Sequence, residues 1–93
     1  MTSALYLYTT LGCHLCEQAE DMLGAVLLHV NRQRSVAGLP PLVLQPVEIA
    51  QEHALVELYG LRIPVLRMQD QTRELNWPFD QAGIFAFLMS SSD

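Results

Sequence analysis

The sequence predicts an α/β domain whose elements run β-α-β-α-β-β-α, with a four-stranded mixed sheet and helices on both faces. Three observations carry that reading. A short apolar run near the start gives way to a helical pattern, a second apolar run follows a break containing Gly and Pro, and two further runs flank a polar tetrad. At 93 residues, 51% of them hydrophobic and 16% charged, the chain is expected to fold as one compact domain over 1–93.

Ala4 to Tyr8 is nearly continuous in apolar side chains and lacks Gly and Pro, as a buried strand requires. Thr9 to Gly12 is the turn out of it. Cys16, Ala19, Leu23, Val26, Leu27 and Val30 then recur every three or four positions, and Glu17, Glu20 and Asp21 place acidic charge in the first turns, where the macrodipole favours it. A helix over about Cys13 to Arg32 follows. Ser35 to Pro41 carries Gly38, Pro40 and Pro41, which break a helix, and Leu42 to Ile49 reads as the second strand. Pro46 within it lacks an amide donor, so this strand lies at a sheet edge or is interrupted there.

Gln51 to Tyr59, with Ala54, Leu55 and Leu58 on one face and Gly60 as a stop, predicts a short second helix. Pro64 to Met68 and Arg73 to Trp77 flank Gln69-Asp70-Gln71-Thr72, a hairpin pattern, and Asp80 can cap a last helix with Ile84, Phe87 and Leu88 facing inward. The crossover makes the first two strands parallel, and the hairpin adds two antiparallel ones.

Charge narrows the function. The formal net charge is −5, all five basic residues are arginine, and no lysine builds a basic stripe, so nucleic acid and anionic membrane are not expected partners. Met1 to Ala4 lacks a positive leader, and no apolar stretch approaches the roughly 20 residues of a membrane span. The expectation is a cytoplasmic monomer. There a close cysteine pair points to catalysis or metal binding more than to a structural disulfide.

Cys13 and Cys16, the only cysteines, are spaced so that one helical turn brings their sulfurs together. Cys13, at the open end, meets solvent and the unpaired helix amides; Cys16 begins the apolar stripe and is shielded. Cys13 is therefore the expected attacking thiolate and Cys16 the resolving thiol. His14 and Arg62 are candidate positive neighbours, opposed by Glu17 and Glu20, which implies a moderately stabilised thiolate and a reducing or near-glutathione potential. The bland alternatives are a zinc site or two inert thiols. Zinc normally takes four ligands, and His14, His29 and His53 are spaced as no second ligand pair, so no metal is expected.

Pro64, in Arg62-Ile63-Pro64-Val65, opens the third strand. A cis bond, inexpensive only before proline, would turn the Ile63 backbone toward the cysteine end of the sheet, where main-chain groups could pair with an extended substrate. Tyr8, ending the first strand near the cysteines, is a further candidate for ligand contact.

Strand, Cys-x-x-Cys at a helix start, a βα unit and Ile-Pro before a hairpin together resemble the thioredoxin fold. Gly12-Cys13-His14-Leu15-Cys16 and Tyr59-Gly60-Leu61-Arg62-Ile63-Pro64-Val65, at this length, most resemble the small bacterial glutaredoxin-like proteins. The resemblance covers nearly the whole chain. It implies thiol–disulfide exchange with Cys13 as nucleophile and Pro64, as a cis-proline, presenting the substrate backbone. Glutathione is the implied co-substrate, a disulfide-bearing protein or glutathione the implied partner, and Asp80 the match to the acidic residue that helps hold the γ-glutamyl amine.

The chain departs from that pattern in places. Glutaredoxins usually carry Cys-Pro-Tyr-Cys after a basic residue, where this chain has His14, Leu15 and Gly12; their Thr-Val-Pro is Arg62-Ile63-Pro64; and Asn76-Trp77-Pro78-Phe79 stands where a Gly-Gly pair is usual. The Trp-Cys-Gly-Pro-Cys of thioredoxins is also missing. A thioredoxin-like reductant recharged by a reductase, and a non-catalytic adaptor or iron–sulfur carrier, are the alternative readings.

Overall fold

A computed structural model describes residues 3–89. The elements are β1 (Ser3–Thr9), α1 (His14–Val36), β2 (Leu42–Glu48), a 3₁₀ turn (Ile49–Gln51), α2 (His53–Tyr59), β3 (Val65–Met68), β4 (Glu74–Asn76) and α3 (Gln81–Met89). They form one sheet in the order β2-β1-β3-β4. β1 runs parallel to β2 and antiparallel to β3, and β3 antiparallel to β4, giving the mixed sheet and element order expected.

Alternation along β1 divides the core. Leu5 and Leu7 face α1 and α3, packing with Ala19, Leu23, Val26 and Val30 of α1 and Ile84, Phe87 and Leu88 of α3. Tyr6 and Tyr8 point the other way, into a smaller cluster with Ile49, Leu55, Tyr59, Ile63 and Val65 under α2. Helices therefore cover both faces. Asn31 fastens α1 to the start of β2 by two bonds: its side-chain amide donates to the Leu42 carbonyl (2.9 Å) and its side-chain oxygen accepts from the Leu42 amide (2.8 Å).

Several boundaries differ from the sequence reading. α1 continues to Val36, past Arg32, because Gln33 to Val36 includes no breaker; the stop is Gly38, at φ +77°, a conformation L side chains rarely adopt. β2 ends at Glu48, and Ile49 enters the 3₁₀ turn because the Glu48 carboxylate captures the Ala50 amide at 2.9 Å. Pro46 sits opposite Leu7 on β2, an edge strand, where its missing donor is tolerated. In α2 the inward residues are Leu55 and Tyr59, while Ala54 and Leu58 are exposed: the seven-residue helix rests one i,i+4 pair on the sheet. Asp80 caps α3 through its Oδ1, which accepts the Gly83 amide at 2.7 Å.

The division of core and surface is testable. Leu66→Ala, at a side chain with no exposure, is expected to lower unfolding free energy by about 2–5 kcal/mol, read as a lower urea midpoint at constant slope. Leu28→Ala, on the exposed side of α1, should change it by no more than about 0.5 kcal/mol. Equal shifts for the two variants would contradict this packing.

Candidate active site

β1 delivers the chain to the C-terminal end of the sheet, where it must turn before α1 can start. Gly12, at φ +82°, makes that turn, and the Cys13 amide closes it by donating to the Thr10 carbonyl at 3.2 Å. Cys13 then caps α1 from an extended backbone, and its Sγ accepts the Cys16 amide at 3.2 Å. One of the amides that a helix start leaves unpaired is thus satisfied by sulfur. Cys13 and Cys16 are disulfide-bonded with their Cα atoms 5.2 Å apart. Cys13 is half-buried and Cys16 is 2% exposed, so an incoming sulfur can approach the first and not the second.

Beside the disulfide lies a cleft of about 340 Å³, walled by residues 9–12, by Cys13, Cys16, Glu17 and Glu20, and by Pro46 and Glu48 of β2. Glu48 ties the cysteine loop to β2: one carboxylate oxygen accepts the Leu11 amide at 2.8 Å and the other the Ala50 amide at 2.9 Å. The Ala50 bond, then that of the Thr10 hydroxyl, together with the Leu11 bond, outweigh desolvation and hold its carboxyl below the usual carboxylate range. Sequence reasoning missed Glu48 because nothing in a strand-end glutamate marks its partners. It set Glu17 and Glu20 against the Cys13 thiolate but did not place them as walls of a cleft. The signal was present in the spacing: each lies four positions after a cysteine, on that cysteine's side of the helix.

The other candidates divide by location. The Tyr8–Val65 register sets Ile63 and Pro64 at the same sheet end as Cys13, on the β3 side of β1, and the cleft opens on the β2 side. Pro64 is buried, and the Ile63–Pro64 peptide bond is cis; Trp77–Pro78 is cis as well, which the sequence reading did not anticipate. His14, on the exposed first turn, lies 3.7 Å from Glu17. Asp80 is occupied in capping α3.

Tyr8 and Arg62 belong to a network under α2 and do not line the cleft. Tyr8 stacks on Tyr59 with ring centroids 4.0 Å apart, and its hydroxyl accepts from Arg67 Nε at 3.2 Å. The Tyr59 hydroxyl donates to Glu74 at 2.5 Å, and Arg62 donates to Glu74 at 2.6 Å and to Asn76 at 3.0 Å. Burial and the bond to Glu74 push the Tyr59 phenol up. Burial pushes Glu74 up too, but bonds from Tyr59 and Arg62 and the charges of Arg62 and Arg67 outweigh it and leave the carboxyl low. Arg62 therefore braces the segment leading to Ile63.

Among the described residues no three His, Cys, Asp or Glu gather as a metal site, and no helix is long and apolar enough to cross a membrane. A family described as Glutaredoxin-like domain (DUF836) matches residues 4–89. The X-ray structure of target protein XcR50 from X. campestris is 38% identical, covers 94% of this chain and 97% of its own, and superposes at TM-score 0.72. The structure of a malarial protein superposes at TM-score 0.67 over 100% of both chains at 8% identity, a likeness of fold alone. No curated protein matches this chain.

Two measurements test these assignments. Because the folded Glu74 carboxyl titrates lower than the unfolded one, its contribution is complete above the ordinary carboxylate range and is lost as pH falls through the lowered value. The stability gap between wild type and Glu74→Gln should be widest near pH ~7 and shrink toward pH ~3; a gap constant with pH would contradict the network. In Glu48→Ala the Leu11 and Ala50 amides should exchange about threefold to tenfold faster than in wild type, and unchanged protection would remove Glu48 as the anchor.

Proposed function

The chain belongs to the glutaredoxin-like domain family, and from that membership and the cysteine geometry we propose that it is a thiol–disulfide oxidoreductase. The observation that carries this is the bonded Cys13–Cys16 pair at the start of α1, with one sulfur approachable and the other shielded. In the reduced protein the Cys13 thiolate keeps the Cys16 amide as donor, and the helix terminus stabilises its charge. It attacks one sulfur of a substrate disulfide, forming a mixed disulfide and expelling the first substrate thiolate with the electron pair of the broken bond.

Cys16 then gives its proton to solvent, and its thiolate attacks Cys13 Sγ. The second substrate thiolate leaves and the Cys13–Cys16 disulfide forms, so two thiols are oxidised and one substrate disulfide is reduced. Two thiol molecules restore the dithiol by the reverse exchange, becoming a disulfide themselves. Family membership favours glutathione in that role, with Ile63 and Pro64 presenting backbone to the bound chain on the β3 side and His14 beside Cys13. The cytoplasm, where thiols are held reduced, suits this cycle.

Cys13→Ser should lower the reduction rate of a model protein disulfide by about a hundredfold or more, to background. Cys16→Ser should accumulate a mixed disulfide on Cys13, seen as the added mass of one substrate thiol. Wild type and Cys13→Ser acting at equal rates would sink the proposal. Equilibrating the pair with mixtures of reduced and oxidised glutathione then tests the recycling thiol: a pair fully oxidised across all reducing mixtures would exclude glutathione.

A further inference from the structure

The cleft beside Cys13 presents three carboxylates and no cation. Glu17 and Glu20 stand on the exposed side of the first two turns of α1, and Glu48 faces them from the edge of β2. The five arginines are placed elsewhere. Arg62 is paired with Glu74, Arg67 bonds Tyr8 and Gln71, Arg73 bonds the Phe87 carbonyl, Arg34 bonds the Pro40 carbonyl, and Arg32 lies late in α1. Leu11, 94% exposed, adds an apolar edge to the same cleft.

We propose that this cleft selects protein disulfides whose cysteine is flanked by arginine or lysine, in preference to the anionic disulfide of glutathione. The inference rests on the oxidoreductase reading, since the carboxylates matter as walls of the redox cleft and not as a site of their own. A peptide that places its sulfur against Cys13 Sγ spans β1: the flank on the β3 side lies along Ile63 and Pro64, and the flank on the β2 side passes over Glu17, Glu20 and Glu48. Positive flanks meet opposite charge, and glutathione's carboxylates meet like charge. Glu48 is held against reorienting to relieve that repulsion, because both of its oxygens are bonded to backbone amides. The formal charge of −5 steers encounter in the same direction.

The test is a single turnover, so no recycling thiol enters. Reduced, desalted protein is mixed with disulfide peptides that are identical except for Arg, Gln or Glu on both sides of the cysteine, and with oxidised glutathione. Alkylation at timed intervals and mass measurement give second-order rates. Exposed charge pairs each contribute about 1.4-fold to fivefold, so the Arg peptide should outrun the Glu peptide by about fivefold or more at low salt. The ratio should fall toward one as salt shortens the Debye length to about 3 Å near 1 M.

Glu17→Gln with Glu20→Gln should reduce the Arg-to-Glu ratio to about half or less of wild type, and Glu17→Lys with Glu20→Lys should invert it. Both positions are exposed on α1, and circular dichroism checks that the variants fold. Because each ratio compares peptides on one enzyme, a change in Cys13 reactivity cancels. Equal wild-type rates for Arg and Glu peptides, or a ratio unmoved by both double variants, would overturn the selectivity while leaving the oxidoreductase reading intact. Failure to reduce any peptide would defeat that reading and this proposal together.

Discussion

A sulfur atom closes the N-terminus of α1. Every helix start leaves amides without intrahelical partners, and here one of them, that of Cys16, is held by Cys13 Sγ. The atom that caps the helix is also the one open to an incoming sulfur. Its position follows from the parallel β1-α1-β2 crossover, which returns the chain so that α1 must begin at the C-terminal end of β1. Burial of Leu5, Leu7 and the α1 stripe thus fixes the reactive sulfur from below, and the Gly12 turn and the Glu48 carboxylate fix it from the side.

The two faces of the sheet contribute differently. The face under α1 and α3 is apolar and supplies most of the buried core. The face under α2 is smaller and partly polar, with Tyr59, Glu74 and Arg62 joining α2, β4 and the segment before Ile63. Charged groups taken partly out of water contribute only when each bond is made, and here each carboxylate oxygen of Glu74 has its own donor. The result is a braced approach to Pro64, on the far side of β1 from the cleft. Cys13 stands between the two because β1 stands between β2 and β3.

Much of this was legible in the residues. Short apolar runs located the four strands and apolar spacing the three α-helices, the Gly and Pro breaks ordered them, and the Cys-x-x-Cys spacing with the start of the stripe at Cys16 made the two sulfurs unequal. What stayed hidden depends on distant partners. Glu48 is one glutamate among several until the fold brings it to Leu11, 37 positions earlier. Arg62 looked like a neighbour of Cys13 by placement near Pro64, and only the hairpin register shows Glu74 claiming it. Tyr8 sits at the correct strand end, but strand alternation turns it to the α2 face, where Tyr59 covers it. The inward residues of α2 were misjudged because seven residues form too short a window for periodicity to choose a face.

The acidic residues at the start of α1 carry two opposed consequences. Carboxylates near a helix N-terminus are stabilised by the same partial positive charge that stabilises a thiolate there, so Glu17 and the Cys13 sulfur draw on one field. His14 is mostly exposed, with its Nδ1 3.7 Å from the Glu17 carboxylate. A helix stabilised in this way holds its cap more firmly and the thiolate less so. A less stabilised thiolate is a stronger nucleophile per ion and a poorer leaving group, which favours the disulfide form of the pair and makes the dithiol a donor of electrons. On the proposed reading, then, the charges that give the cleft its sign also bear on the reduced pair. The carboxylates that would gather a cationic substrate would also oppose the thiolate of the reduced pair, and so favour passing its electrons to what has been gathered.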